Sequence, residues 1–109
     1  MIKSTLKIAG SVLLGSTLIM AAQDGKGDAA KGKQVFEQCS ICHNVDSPEK
    51  KMGPSLQGLF KKKTLQSGKP VNDANVTAQI NNGGNGMPAY GDMLSAGDKA
   101  DLLAYLHTL

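Results

Sequence analysis

Apolar positions recur at helical spacing in three stretches of the chain, and turn residues fill the long runs between them. In the last stretch Leu102, Leu103, Leu106 and Leu109 follow one another at intervals of one, three and three, which predicts one apolar helix face. Ser95, followed three positions on by Asp98, marks its start as a capping box with Asp in place of the usual Glu. A shorter stretch sets Val76 and Ile80 one turn apart, with Asp73 or Asn75 at its start and Gly83 at its end. The first places Ala29, Val35 and Phe36 behind Asp28, a side chain suited to cap a helix running to about Gln38. From Asn44 to Val71 the residues Pro48, Gly53, Pro54, Gly58, Gly68 and Pro70 predict loop, with at most one short turn of helix. Residues 81–86 read as a glycine-rich run, flexible enough to carry Met87-Pro88 around a bound group. No stretch alternates as a strand would. The pattern therefore predicts an all-α domain of three to five short helices joined by long loops.

The chain begins differently. Met1 to Lys7 hold two lysines and no acid, and Ile8 to Ala22 form an uncharged apolar run of 15 residues. Basic start, apolar middle and small residues at the exit are the layout of a secretory signal peptide, with cleavage expected after Ala21 or Ala22. The run is short for a spanning helix, which needs about 20 residues; an uncleaved anchor is the alternative. Residues 1–22 are thus read as a signal peptide and residues 23–109 as the working domain, placed in the periplasm.

A domain of that size buries only about 60–65% of its unfolded surface. Its core needs help from a disulfide, a metal, a partner or a cofactor. Aromatic residues are only 4% of the 109, with no Trp, so the domain has few large side chains of its own to bury. Two cysteines are too few for a disulfide scaffold. Charge separates by segment. Residues 23–49 carry three lysines and five acids, residues 50–69 six lysines and no acid, and residues 70–109 one lysine and four acids. The chain has no arginine, and its net charge without the first 22 residues is +1, which argues against nucleic acid as a partner. The basic segment reads either as a solvated loop or as a face that orients the protein toward an acidic partner.

The strongest chemical signal is Cys39-Ser40-Ile41-Cys42-His43. Two thiols three positions apart at a helix end can reach the two vinyl groups of one haem, and the adjacent histidine then serves the iron. The same thiols admit a redox pair, a structural zinc site or a plain disulfide. A redox pair of the thioredoxin type wants a βαβ pattern that is missing, and zinc wants further ligands when the only other histidine is His107. Met52, Met87, Met93 and His107 are the candidates for a second axial ligand. Met87 has the best context, because Gly83-Gly84-Asn85-Gly86 precedes it and Pro88 stiffens the exit. A thioether is a soft neutral donor that favours ferrous iron, raises the potential and closes the site, which suits electron transfer rather than catalysis.

With these residues in view the chain resembles a class I cytochrome c, of the small bacterial monohaem type with His/Met ligation. The resemblance runs through Gly32-Lys33-Gln34-Val35-Phe36, Gly53-Pro54-Ser55-Leu56-Gln57-Gly58-Leu59-Phe60, the Met87 loop and Ala100 to Leu106. It implies one covalent haem c held by Cys39 and Cys42, with His43 and Met87 on the iron. It further implies that the Pro54 carbonyl orients His43, that Leu56 and Leu59 line the pocket, and that Gly32 and Phe36 meet Leu102 and Tyr105. A cavity bounded by His43 and Met87 is expected. Lys62 stands where the family often has an arginine near a haem propionate, and Asn85 where it has a threonine. The implied function is a soluble monomeric electron carrier, not an enzyme, exchanging electrons with larger redox proteins such as a membrane oxidase or reductase or a periplasmic dehydrogenase. Lys50, Lys51, Lys61, Lys62 and Lys63 are expected to form part of the docking face. A haem-based sensor or catalytic subunit with an open or weakly ligated iron is the alternative.

Overall fold

The computed structural model describes residues 27–109, so the signal peptide expected over residues 1–22 lies outside the described residues. Three α-helices and one short 3-10 turn make up the regular structure of the described chain: α1 (Ala29–Phe36), the 3-10 turn (Leu59–Lys61), α2 (Asp73–Asn82) and α3 (Ala96–Leu106). No strand forms among the described residues; Thr64 with Pro70 and Gly84 with Met87 are isolated bridges.

The helix ends follow the side-chain chemistry of their caps. Asp28 accepts from the Ala30 and Lys31 N–H groups, filling donors that the first turn leaves unpaired. α1 ends at Phe36 rather than Gln38, because the chain tightens into successive turns at residues 37–42. α2 starts at Asp73, one of the two expected starts, and Asn72 caps it, its side chain accepting from the Asn75 N–H at 2.7 Å. Ser95 and Asp98 close the reciprocal capping box at the start of α3.

α1 and α3 form the main helix crossing. Gly32 makes it close: a Cβ there would collide with the Asp101 carbonyl and stand 2.8 Å from the Tyr105 Cβ. The Asp28 N–H donates to Asp101 Oδ1 at 2.8 Å, and the Phe36 and Tyr105 rings lie 5.4 Å apart and tilted. The buried apolar core is Phe36, Leu59, Val76, Ile80, Leu102 and Leu106, which is small for a domain this long. No helix among the described residues is long and apolar enough to cross a membrane.

Candidate haem site

The turns after α1 deliver the cysteine motif. Cys39 N–H donates to Phe36 O at 2.7 Å, and Cys42 and His43 N–H both donate to Cys39 O at 3.0 Å. This winding brings Cys39, Cys42 and His43 to one cavity while Ile41 stands 72% exposed. Both cysteines are free thiols. Burial, and secondarily the Cys42 charge, pushes the Cys39 thiol above its ordinary value, which favours the protonated form.

His43 is oriented from the next loop. Its Nδ1 lies 2.7 Å from the Pro54 carbonyl, so Nδ1–H donates and Nε2 is left as the ring's free donor atom. Gly53 permits this contact. A Cβ at Gly53 would stand 2.5 Å from His43 Cε1, 2.9 Å from Nδ1 and 3.1 Å from Cys42 O. Gly53 N–H also donates to Cys42 O at 2.8 Å, and Leu56 N–H to Asn44 O at 2.8 Å, which fastens the loop beside the motif.

Met87 is delivered by a fixed turn rather than by slack chain. Gly84 and Met87 exchange both backbone hydrogen bonds at 2.9 and 3.0 Å. The two central residues, Asn85 (φ 52°) and Gly86 (φ 91°), both sit at positive φ, as a type I′ hairpin turn requires and as Asn-Gly favours. Beyond it, Tyr90 N–H donates to Ile80 O and Gly91 N–H to Asn81 O, returning the loop to the last turn of α2. Gln79, on α2, donates from Nε2 to Gly83 O at 3.1 Å and toward Met87 Sδ at 3.6 Å.

The cavity between these elements measures about 400 Å³. That lies within the range of cofactor sites, about 300–1,000 Å³. Its apolar walls include Leu56, Leu59, Leu65, Val76, Ile80 and Leu106, and polar side chains such as Gln66, Gln79 and Asn85 also face it. Burial raises the Tyr90 hydroxyl, with smaller contributions from Cys39 and Cys42. An apolar slot with two free thiols, a histidine with Nε2 free and a thioether is a donor set that fits a covalently held haem. A shallower hollow of about 370 Å³, lined by Asn81, Asn82, Ala89, Gly91, Asp92 and Lys99, lacks such donors.

Every cofactor residue expected from sequence lines the cavity: Cys39, Cys42, His43, Pro54, Leu56, Leu59 and Met87. Of the rival ligands, Met52 stands at the mouth, its sulfur 3.9 Å from Cys42 Sγ. Met93 and His107 do not line the cavity; Met93 is 63% exposed, and His107 Nε2 meets Asp73 Oδ1 at 2.6 Å while stacking on Phe60. Lys62 does not reach into the cavity either, because its ammonium donates to Ser55 O at 3.0 Å. Sequence reasoning missed Gln79. The available signal was a polar residue between Val76 and Ile80 on the apolar face of α2.

The family described as cytochrome C oxidase, cbb3-type, subunit III matches residues 27–106. Cytochrome c6 of Diacronema lutheri is 33% identical over 81 residues, covering 73% of this chain and 94% of its own length. Cytochrome c2 iso-1 of Magnetospirillum molischianum is 30% identical over 93 residues, covering 69% of this chain and 93% of its own. Among solved structures, cytochrome c6 from the diatom Phaeodactylum tricornutum superposes with a TM-score of 0.60 at 27% identity, covering 75% of this chain and 93% of that one. Cytochrome cH from Methylobacterium extorquens superposes with a TM-score of 0.55 at 26% identity, covering 76% of this chain and all of that one.

Proposed function

The chain belongs to the cytochrome c family as a small class I monohaem member that transfers electrons, and we propose that it does so as an exported carrier with His43 and Met87 on the iron. Covalent haem c, the cofactor of this family, supplies a one-electron Fe(III)/Fe(II) couple. Cys39 and Cys42 would hold the haem through thioether bonds. Pro54 O fixes the His43 tautomer and makes Nε2 the better donor. Met87 would supply a second protein ligand to the iron and leave no open site for a substrate, a role its thioether suits from its place in the cavity lining. Leu56, Leu59 and their neighbours keep water from the site. The observation that carries this reading is one cavity lined by Cys39, Cys42, His43 and Met87 together.

Export rests on the basic and apolar layout of residues 1–22 and places the carrier in the periplasm. The lysines of residues 50–69 steer it toward acidic redox proteins. Lys51 and Lys62 spend part of their hydrogen bonding on the carbonyls of Ser40 and Ser55, which holds both ammonium groups against the surface. A second reading, a dedicated subunit of one oxidase complex, is favoured by the description of the matching family. Co-purification at fixed stoichiometry with a membrane complex would select it.

The deciding experiment is the optical spectrum of protein matured with c-type haem machinery. A sharp reduced α-band and a weak red ferric band that disappears in Met87→Ala support the closed His/Met site. A haem spectrum in which that band is absent, with rapid carbon monoxide binding to the ferrous protein, would move the assignment to a sensor or catalytic subunit. A spectrum without haem would overturn the reading.

A further inference from the structure

No Lys, Asp or Glu lines the cofactor cavity, and the chain has no arginine. Haem nevertheless brings two carboxylates, on the edge of the ring away from its vinyl groups. A carboxylate set against Leu, Val or Ile is costly unless it is hydrogen-bonded. Lysine ammonium groups that could serve it are engaged elsewhere: Lys51 donates to Ser40 O at 2.9 Å, Lys62 to Ser55 O at 3.0 Å and Lys99 to Gly91 O at 2.9 Å. The donors must then come from neutral polar groups of the lining. Gln38 gives its amide to Val35 O at 3.2 Å, and Gln79 gives its own to Gly83 O and Met87 Sδ. The Tyr90 hydroxyl feels the charge of Cys39 and Cys42, so it stands on the thiol side. Gln66, Ser67 and Asn85 remain, and none of their side chains has a hydrogen-bond partner among the described residues.

We propose that Gln66 and Ser67, with Asn85 of the Met87 turn, seat the haem carboxylates through neutral donors, with no cation in contact. The proposal rests on the haem-carrier reading above and names how the far edge of the cofactor is held. Gln66 and Ser67 occupy the tip of a pinned hairpin. Leu65 N–H donates to Lys69 O at 2.8 Å, Val71 N–H to Lys63 O at 3.0 Å, and Gly68 N–H closes the tip on Leu65 O at 2.9 Å. Gly68 takes the positive φ, 91°, that this closure needs. Leu65 packs against the core from the same tip, which holds its two polar neighbours in the cavity lining. The Gln66 and Ser67 N–H groups donate to no backbone carbonyl among the described residues, so each residue offers a main-chain donor as well as a side-chain one. Neutral donors favour the ionised carboxylate less than a bidentate arginine would. The ionisation of the seated groups, and with it the reduction potential, therefore stays open to pH.

The test is a potentiometric titration of haem-loaded protein at a series of pH values. The wild-type potential is expected to fall as pH rises through the ionisation of a carboxylic acid, because the new negative charge favours ferric iron. Gln66→Leu and Ser67→Ala remove donors to the ionised form, so the fall should move up by about 0.5–1 in pH for each donor lost. Ser67→Thr keeps the hydroxyl and should leave the fall in place. Gln66→Lys supplies a cation and should move it down. Thermal unfolding of the same variants separates these effects from a loosened hairpin, which would lower Tm without moving the fall. A wild-type potential that is flat with pH overturns the proposal, as does a fall that stays put in both Gln66→Leu and Ser67→Ala. A fall that moves as far in Lys62→Gln would return the carboxylates to a lysine, and one that disappears in His107→Gln would assign it to the histidine beside Asp73; either overturns the proposal. Failure of the chain to take up covalent haem would sink the carrier reading, whereas haem-loaded protein whose potential ignores the hairpin tip sinks the proposal alone.

Discussion

Gly53→Ala is the sharpest single test of how the protein holds His43. Gly53 is not left-handed, so it meets no conformational demand that alanine would fail. The demand is for space. The new methyl would stand 2.5 Å from His43 Cε1 and 2.9 Å from Nδ1, on the side where Nδ1–H donates to Pro54 O. Either the imidazole tilts and loses that bond, or the loop moves and loses Gly53 N–H to Cys42 O. Overpacking costs about 1–3 kcal/mol, and a lost hydrogen bond about 0.5–1.5 kcal/mol. The stiffer unfolded chain returns about 0.4–1 kcal/mol. The net loss is about 0.5–4 kcal/mol, which lowers Tm by about 2–30 °C for a domain of this size. Loss of the Nδ1–H bond also makes Nε2 a poorer donor to ferric iron, so the reduction potential should rise by about 20–50 mV. Gly97→Ala is the control, since its Cβ would meet only Ser95 Oγ at 3.8 Å and Gly97 lies in the first turn of α3. It should stabilise the protein by about 0.5–1 kcal/mol. Thermal unfolding followed by haem absorbance and a spectroelectrochemical titration read both variants. An unchanged Tm in Gly53→Ala would refute the steric argument. A lowered Tm with an unmoved potential would refute its assignment to His43.

Gln79→Leu should lower the reduction potential by about 20–40 mV, because an amide N–H aimed at Met87 Sδ weakens thioether donation to ferric iron most, and a sulfur acceptor makes a weak bond; a potentiometric titration that finds a rise refutes this. Asp28→Ala removes the cap of α1 and should cost about 1 kcal/mol in denaturant unfolding. Exchange with an acidic redox protein should slow as ionic strength rises from about 0.01 to 0.1 M, where the Debye length falls from about 30 to 10 Å, and stopped-flow rates that stay flat would remove the lysine docking face.

What was legible in the sequence is what local chemistry determines. Helix starts at Asp28 and Ser95 follow from side chains that bond their own first turn. The cysteine motif is readable because its geometry is contained within five residues. What was not legible depends on segments that meet only in the fold. Gly53 reads as an ordinary loop breaker until His43 is placed against it. Gln79 is a polar residue on the apolar face of α2 whose partner appears only when Met87, eight positions later, turns back toward that helix. The run before Met87 reads as slack because glycines are permissive, yet Asn85 and Gly86 use that permission to close a defined turn.

These points explain why so small a core suffices. Leu59, Val76, Ile80 and Leu106 belong both to the buried core and to the cavity wall, so the hydrophobic core and the cofactor site are one apolar unit. The aromatic side chains missing from the sequence are replaced by the haem that this wall is shaped to hold. Hydrogen bonds fasten both proposed iron ligands, His43 through the backbone turns from Phe36 and through its ring Nδ1 to the Pro54 carbonyl, Met87 through the backbone pair with Gly84 and the bonds of Tyr90 and Gly91 back to Ile80 and Asn81. An electron carrier gains from this arrangement, because ligands held by the fold move little when the iron changes charge. The same arrangement ties stability to cofactor: removing the haem would leave four core residues facing a void, so the apo-chain should lose helical structure as a unit rather than at one loop.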